Sequence, residues 1–259
     1  MAVSRGMRRR MGVALALVPA LGLAGCAPVD VPPDPRNGFF DAFFVYPISL
    51  LIDWFGALSG SYAVAILAVT VIVRVLILPL VFNQYKNMAK MQKLQPEVQK
   101  IREKYQKDPE KMQRELLKLF QAHDVSPMGG FWPLIVQMPV FIALYDAVRR
   151  SPHIKSAHFL WLELGSRDPT FVLPLVAALA QLLTVYVTQK INPMPQGAPQ
   201  MRLMLILFPL MTFFITLSLP AALPLYWTFS SLFTLVQTFL FKDLLRAGRM
   251  GSEEPSVRR

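Results

Sequence analysis

Hydrophobic positions in this chain fall into long uninterrupted blocks at about 62–82, 131–148, 170–189, 203–219 and 225–241. At about 1.5 Å per residue, a helix of roughly 17–25 apolar residues crosses the ~30 Å hydrocarbon core of a bilayer. The pattern predicts an all-α membrane protein with five transmembrane helices over 61–242. The turn LPAALP joins the last two blocks as a tight hairpin. Upstream, FFDAFFVYPISLLIDWFGALSG (39–60) is apolar and aromatic but interrupted by Asp41, Pro47 and Asp53. It predicts an amphipathic helix lying in the outer interface, where Trp and Tyr are favoured. A full span is the weaker alternative, because two aspartates and a proline would have to be buried.

The segment 83–124 is too polar for the bilayer but reads as helical. Its runs NQYKNMAKMQKLQPEVQKIREKYQ and DPEKMQRELLKLFQ break at Lys107-Asp108-Pro109. Asp108 can cap the second helix with Pro109 in its first turn. Met88, Met91, Leu94, Val98, Ile101 and Tyr105 form a narrow apolar stripe at helical spacing. That stripe suits either a basic hairpin packed on itself or a Met-containing surface for apolar clients.

Charge orients the spans. Seventeen Lys and Arg lie in 83–124, the 190–202 loop and the tail after 241, against five on the opposite side. The positive-inside rule places the long hairpin and the C-terminal tail (243–259) in the cytoplasm. The net charge of +11 is spread over these segments, and no aromatic-basic motif points to nucleic acid. At the N-terminus, Arg5, Arg8, Arg9 and Arg10 precede MGVALALVPALGLAG, the layout of an export signal over 1–25. Leu23-Ala24-Gly25-Cys26 is similar to a bacterial lipobox, which implies cleavage before Cys26 and a covalent diacylglycerol and fatty acyl lipid on it. The proline-rich linker 26–38 would then start outside the membrane, which agrees with five spans and a cytoplasmic C-terminus. With one cysteine there is no intramolecular disulfide, and the three histidines lack metal-ligand spacing.

Arg74 stands in the middle of the first span, where insertion costs about 2.5–3.5 kcal/mol. The only carboxylate in the other four spans is Asp146, placed about 10 Å nearer the outer surface by helix rise. Other polar groups do reach Arg74's depth: Thr70, Gln137, Gln181, Thr184, Thr188, Thr212 and Thr216. The last span adds Trp227, Ser230, Ser231, Thr234, Gln237 and Thr238. Any single threonine among them can serve as ordinary interhelical glue. A guanidinium that such groups cannot neutralise normally faces water or a bundle cavity. The pattern therefore predicts a hydrated, positively charged cavity open toward the cytoplasm. It suits either a small-anion transporter or channel, or a device that takes hydrophilic peptide segments partway into the membrane. No internal repeat favours the transporter. An enzyme is not expected, since no His or Cys lies in any span and there is no carboxylate dyad.

Three stretches carry a resemblance: VRVLILPLVFNQYKNMAKMQKLQPEVQKIREKY, SPMGGFWPLIVQMPVFIALYDAV and LPAALPLYWTFSSLFTLVQTFL. In that order they resemble the YidC/Oxa/Alb membrane protein insertases, and the lipobox makes the chain similar to the five-span Gram-positive type. Val125-Ser126-Pro127 stands where Asn-Pro is common, Ala222 where glycine is, and Ser231 where asparagine is. The resemblance implies a groove in which Arg74 attracts acidic residues of a client's tail. It also implies groove roles for Trp227 and for a third-span glutamine, Gln181 or Gln189. The candidate groove comprises Arg74, Thr70, Gln137, Gln181, Thr184, Gln189, Trp227, Ser231 and Thr234. No cofactor beyond the Cys26 lipid is implied. The implied partners are nascent membrane proteins, the Sec translocon, the ribosome and the lipid bilayer, with the protein a monomer in the bacterial cell membrane.

Overall fold

The computed structural model describes residues 31–126, 132–191 and 199–245. Residues 1–25, where a signal is expected, Cys26, the start of the expected linker and most of the C-terminal tail lie outside the described residues. A 3-10 turn (Pro35–Asn37) and a π-helical turn (Asp41–Val45) lead into α1 (Tyr46–Ser59). Next come α2 (Tyr62–Leu76), α3 (Leu78–Lys93), α4 (Gln95–Lys104), α5 (Pro109–Ala122) and α6 (Trp132–Arg150). The short α7 (Pro152–Lys155) precedes a two-stranded antiparallel hairpin, β1 (His158–Phe159) and β2 (Leu162–Glu163). The chain continues through α8 (Val172–Ile191), α9 (Pro199–Thr216) and α10 (Ala222–Leu240).

Proline decides where the first long helix breaks. The expected straight span 62–82 is instead α2 and α3, bent by 58°. Pro79 sits in the first turn of α3, with Ile77 as its N-cap. Its ring lacks an N–H and opposes the carbonyl one turn back, which kinks a helix. The ladder still carries across the bend, with Ile77 N–H donating to Val73 O at 3.1 Å and Val81 N–H to Ile77 O at 3.0 Å. Helix α3 then runs on to Lys93, so residues 83–93 extend the bent helix. A second break at Leu94 sets off α4, with Pro96 in its first turn. Asp108 caps α5, its Oδ1 accepting from Lys111 N–H at 3.0 Å.

By length and apolar composition, Asp41–Ser59 and Val172–Ile191 can cross a membrane, with mean hydropathies of 1.5 and 1.7. Helices α2 and α3 make a third if the bent pair counts as one span. Among the described residues, α6 and α10 do not reach that mark. Gln137, Asp146, Arg149 and Arg150 dilute α6, and the Ser, Thr and Gln stripe dilutes α10. Helix α9 contributes a shorter apolar stretch, Leu205–Thr216.

The chain divides into two compact units, and α2, α6, α9 and α10 contribute residues to both. The first unit takes in Met1–Val69, Val136–Phe171 and Thr216–Tyr226. Its buried interior is chiefly aliphatic: Val45, Ile52, Ala63, Ile66, Ala143, Leu144 and Val148. One ion pair is set into it. Asp41 and Arg150 are each only 5% exposed. Arg150 Nη1 donates to Asp41 Oδ1 at 2.8 Å and Nη2 to Oδ2 at 2.5 Å. The same guanidinium donates from Nε to Val31 O at 2.7 Å and from Nη2 to Pro32 O at 3.1 Å. These bonds remove one obstacle to burying the 39–59 helix, since Asp41 is neutralised within the fold. Pro47 is no obstacle either, because it occupies the first turn of α1. Asp53 Oδ1 is buried with no hydrogen-bond partner among the described residues.

The second unit takes in Thr70–Ile135, Val172–Ile215 and Trp227–Arg259. Here α4 packs on α5. Leu94 and Val98, the middle of the apolar stripe, are buried while Met88, Met91, Ile101 and Tyr105 are half-buried. This favours the self-packed form of the hairpin. On α9, Ile206, Leu210 and Phe214 are exposed at four-residue spacing, as expected of a face turned to hydrocarbon.

Candidate functional site

The polar groups of the second unit gather around one cation. Arg74 lies near the C-terminal end of α2, half-buried, and its Nη2 donates to Ser230 Oγ on α10. Thr70, one helical turn earlier, is buried. Next to Ser230, Ser231 donates through Oγ to Gln181 Oε1 on α8 at 2.9 Å. Thr184 Oγ1 lies 2.8 Å from Ala180 O and 3.1 Å from Ser231 O, sharing its proton between them. Thr234 returns its Oγ1 proton to Ser230 O at 2.9 Å, one turn back in its own helix. Thr238 does the same to Thr234 O at 2.8 Å. Its Oγ1 therefore accepts from Tyr85 OH, 3.2 Å away.

Two physical features define this cluster. Its hydrogen bonds join α2 and α8 to α10 through side chains, which ties the three helices together. The Ser230 hydroxyl is neutral, so its bond to Arg74 solvates the guanidinium without cancelling its charge. A guanidinium among water-compatible groups is a candidate site for an anion such as a carboxylate. Such a carboxylate would exchange hydroxyl bonds for a charge-assisted, bidentate pair.

Of the residues expected in the groove, Arg74, Thr70, Gln181, Thr184, Ser231, Thr234 and Trp227 all belong to this unit. Ser231 is directly bonded to both Gln181 and Thr184, and Trp227 is half-buried on the same helix as Ser231. Gln189 is half-buried two turns beyond Gln181 and outside this set of bonds. Gln137 belongs to the first unit, where its Nε2 donates to Tyr226 OH. Ser230, Tyr85 and Tyr226 were not among the expected site residues. Ser230 was legible as part of the α10 stripe, and Tyr226 sits one turn before it, the spacing that marks a shared face. No group of three or more His, Cys, Asp or Glu able to hold a metal occurs among the described residues.

Comparison with known proteins assigns the class. A family model described as the 60Kd inner membrane protein matches residues 54–247. The chain is 41% identical over 245 residues to the membrane protein insertase MisCA of Bacillus subtilis, covering 91% of this chain and 92% of that protein. It is 39% identical over 245 residues to membrane protein insertase YidC 2 of Bacillus anthracis, covering 91% and 94%. Its fold is similar to a crystal structure of an active YidC insertase with the first transmembrane domain resolved, at a TM-score of 0.61 and 28% identity. That match covers 78% of this chain and 47% of the solved one, so the chain spans about half of that structure's length. The chain belongs to the YidC family of membrane protein insertases, a non-enzymatic class of inner membrane proteins.

Proposed function

We propose that this protein inserts membrane proteins by drawing a hydrophilic client segment into a hydrated groove around Arg74. The observation that carries the mechanism is a half-buried guanidinium bonded to Ser230 beside the Gln181–Ser231–Thr184 cluster. An acidic residue on the client tail provides the carboxylate. As the tail enters, its charge pairs with Arg74 while hydroxyls and amides take over the bonds that bulk water had made. The client's apolar segment then leaves along the protein–lipid boundary. Burial of its apolar surface, about 25 cal/mol per Å², supplies the driving force, and no nucleotide is hydrolysed. Arg74, Thr70, Gln181, Thr184, Trp227, Ser231 and Thr234 line the groove, with Gln189 as a further contact.

The surrounding architecture in this proposal has five spans, a cytoplasmic hairpin at 83–124 and an outer interfacial helix at 39–60. The N-terminus is outside, anchored by lipid on Cys26, and the C-terminus is cytoplasmic. The Sec translocon and the ribosome are partners in delivery, and the working unit is a monomer. Seventeen basic residues on one side against five on the other support that orientation.

Purified protein in proteoliposomes tests the mechanism with a client whose translocated tail is acidic. Arg74→Ala should reduce insertion to the protein-free background, while Arg74→Lys retains a substantial part of it. Full insertion by Arg74→Ala sinks charge attraction for that client. Saturable uptake of a small anion by the same liposomes would instead establish a transporter.

A further inference from the structure

The loop between α7 and α8 presents apolar side chains on a rigid mount. Three of its largest side chains point away from the protein: Leu160 is 73% exposed, Trp161 53% and Phe171 57%. Leu160 and Trp161 form the two-residue tip of the β1–β2 hairpin, closed by the Phe159–Leu162 pair. Leu160 and Phe171 adopt φ of +57° and +60°, the left-handed region that residues other than glycine rarely enter. An apolar residue in that conformation needs surroundings that hold it there. Those surroundings are well built. Ile154, Leu162 and Leu164 are buried beneath the tip. Leu164 O and Ser166 O accept from Ala222 N–H and Ala221 N–H at 3.0 and 2.7 Å. Gly165 passes so close to Lys155 that a Cβ would stand 2.5 Å from the Lys155 carbonyl oxygen.

A chain of hydrogen bonds also fixes the tryptophan. Trp161 Nε1–H donates to Thr170 Oγ1 at 3.1 Å, and Thr170 donates from Oγ1 and N to Asp168 Oδ1 at 2.6 and 2.9 Å. The indole's polar edge is thereby satisfied inside the loop, leaving the ring faces free of any need for water. The same bonds tie the hairpin tip to the residue before Phe171. Phe171 is followed directly by Val172, the first residue of α8, a helix long and apolar enough to cross a membrane. Chain continuity therefore places Phe171 at the depth where that helix leaves the hydrocarbon. Aromatic residues concentrate at this level of a bilayer. Exposed Lys155, the last residue of α7, and Arg167 in the loop have stems long enough to reach lipid phosphates.

We propose that Leu160, Trp161 and Phe171 form a membrane-inserting knob whose partner is the bilayer interface. The interface concerned is the one where α8 begins, the outer one in the orientation given above. The knob holds the loop, and the chain leading into α10 to which it is bonded, at a set depth in the lipid. It rests on α8 crossing the membrane and is independent of the groove mechanism.

Depth-resolved quenching tests it on the full chain in vesicles. With Trp54→Phe, Trp132→Phe and Trp227→Phe in place, Trp161 is the sole tryptophan. Lipids brominated near the headgroup end of the acyl chain should remove most of its emission, and aqueous iodide little. If that variant fails to fold, the difference in quenching between the unmodified protein and Trp161→Phe gives the same information. Leu160→Asn with Phe171→Asn keeps residues tolerant of positive φ, and should shift Trp161 emission to the red and expose it to iodide. Strong iodide quenching with no effect of brominated lipid overturns the proposal. So does lipid-insensitive emission that changes only when a client is added, which would make the knob a client contact. Loss of insertion by Arg74→Ala leaves every one of these quenching results unchanged.

Discussion

Arg150 and Arg74 carry the same charge, and the two units treat it in opposite ways. Arg150 is 5% exposed and four of its five guanidinium N–H groups are bonded from within the first unit by Asp41 and the carbonyls of Val31 and Pro32. Arg74 is half-buried in the second unit and bonds to the hydroxyl of Ser230, next to a cluster of neutral hydroxyls and an amide. The first arrangement ties distant chain segments together and leaves the cation nothing further to do. The second meets the cation with a neutral hydroxyl, which solvates the charge without cancelling it; in the proposed mechanism the carboxylate comes from the client.

Removing one member of the buried pair breaks the comparison most directly. Asp41→Ala should destabilise the folded protein by about 3–5 kcal/mol, because it strands a buried cation. Thermal unfolding in detergent measures this. The double change Asp41→Leu with Arg150→Met should recover most of the loss, since a well-packed apolar pair can replace a buried ion pair. If the double variant is no better than Asp41→Ala, the pair is needed for more than charge balance.

Arg74→Ala should behave in the reverse sense. Insertion falls to background, while unfolding changes by much less than for Asp41→Ala, because the cation leaves together with its bonds and is not stranded. A large stability loss without loss of insertion would make Arg74 a second Arg150. Ser231→Ala sharpens the contrast at lower amplitude. It deletes the bond to Gln181 Oε1, so stability should drop by about 1 kcal/mol and insertion should fall partially. Asp53→Asn probes a buried carboxylate oxygen of the first unit that has no hydrogen-bond partner among the described residues, and should leave unfolding unchanged or slightly improved.

The smallest effect is expected in the exposed hairpin. Lys118 Nζ lies 2.6 Å from Glu115 Oε1, and that hydrogen bond holds the Glu115 carboxyl below the ordinary glutamate value. Because the folded-state pKa is lowered, any stability it adds is present above the ordinary value and lost as pH falls through the folded one. Glu115→Gln should remove that pH dependence without a measurable change in unfolding at neutral pH, as for most solvated ion pairs.

Arg74 was legible in the sequence because hydropathy makes one arginine in an apolar block conspicuous. The polar stripes of α8 and α10 were legible because helical spacing alone determines which residues share a face. Which of two adjacent serines meets the guanidinium was not. Ser230 and Ser231 point about 100° apart on one helix, and only packing decides the helix's rotation. The bend before Pro79 was predictable in kind but not in angle, and the extension of α3 to Lys93 depended on the hydrogen-bond ladder surviving that bend.

By its own pattern, the sequence determined a helical membrane protein, the buried cation and the asymmetry of basic residues, because hydropathy, helical period and net charge are local or additive properties. Tertiary structure decided that Arg150 meets Asp41 across 109 residues, and that Trp161 is fixed by Thr170 beside the start of α8. It also decided that Ser230 rather than Ser231 meets Arg74. Those outcomes turn on side-chain directions and on contacts between segments far apart in the chain. Such contacts exist only after the helices have chosen their neighbours, and no residue's own chemistry specifies them.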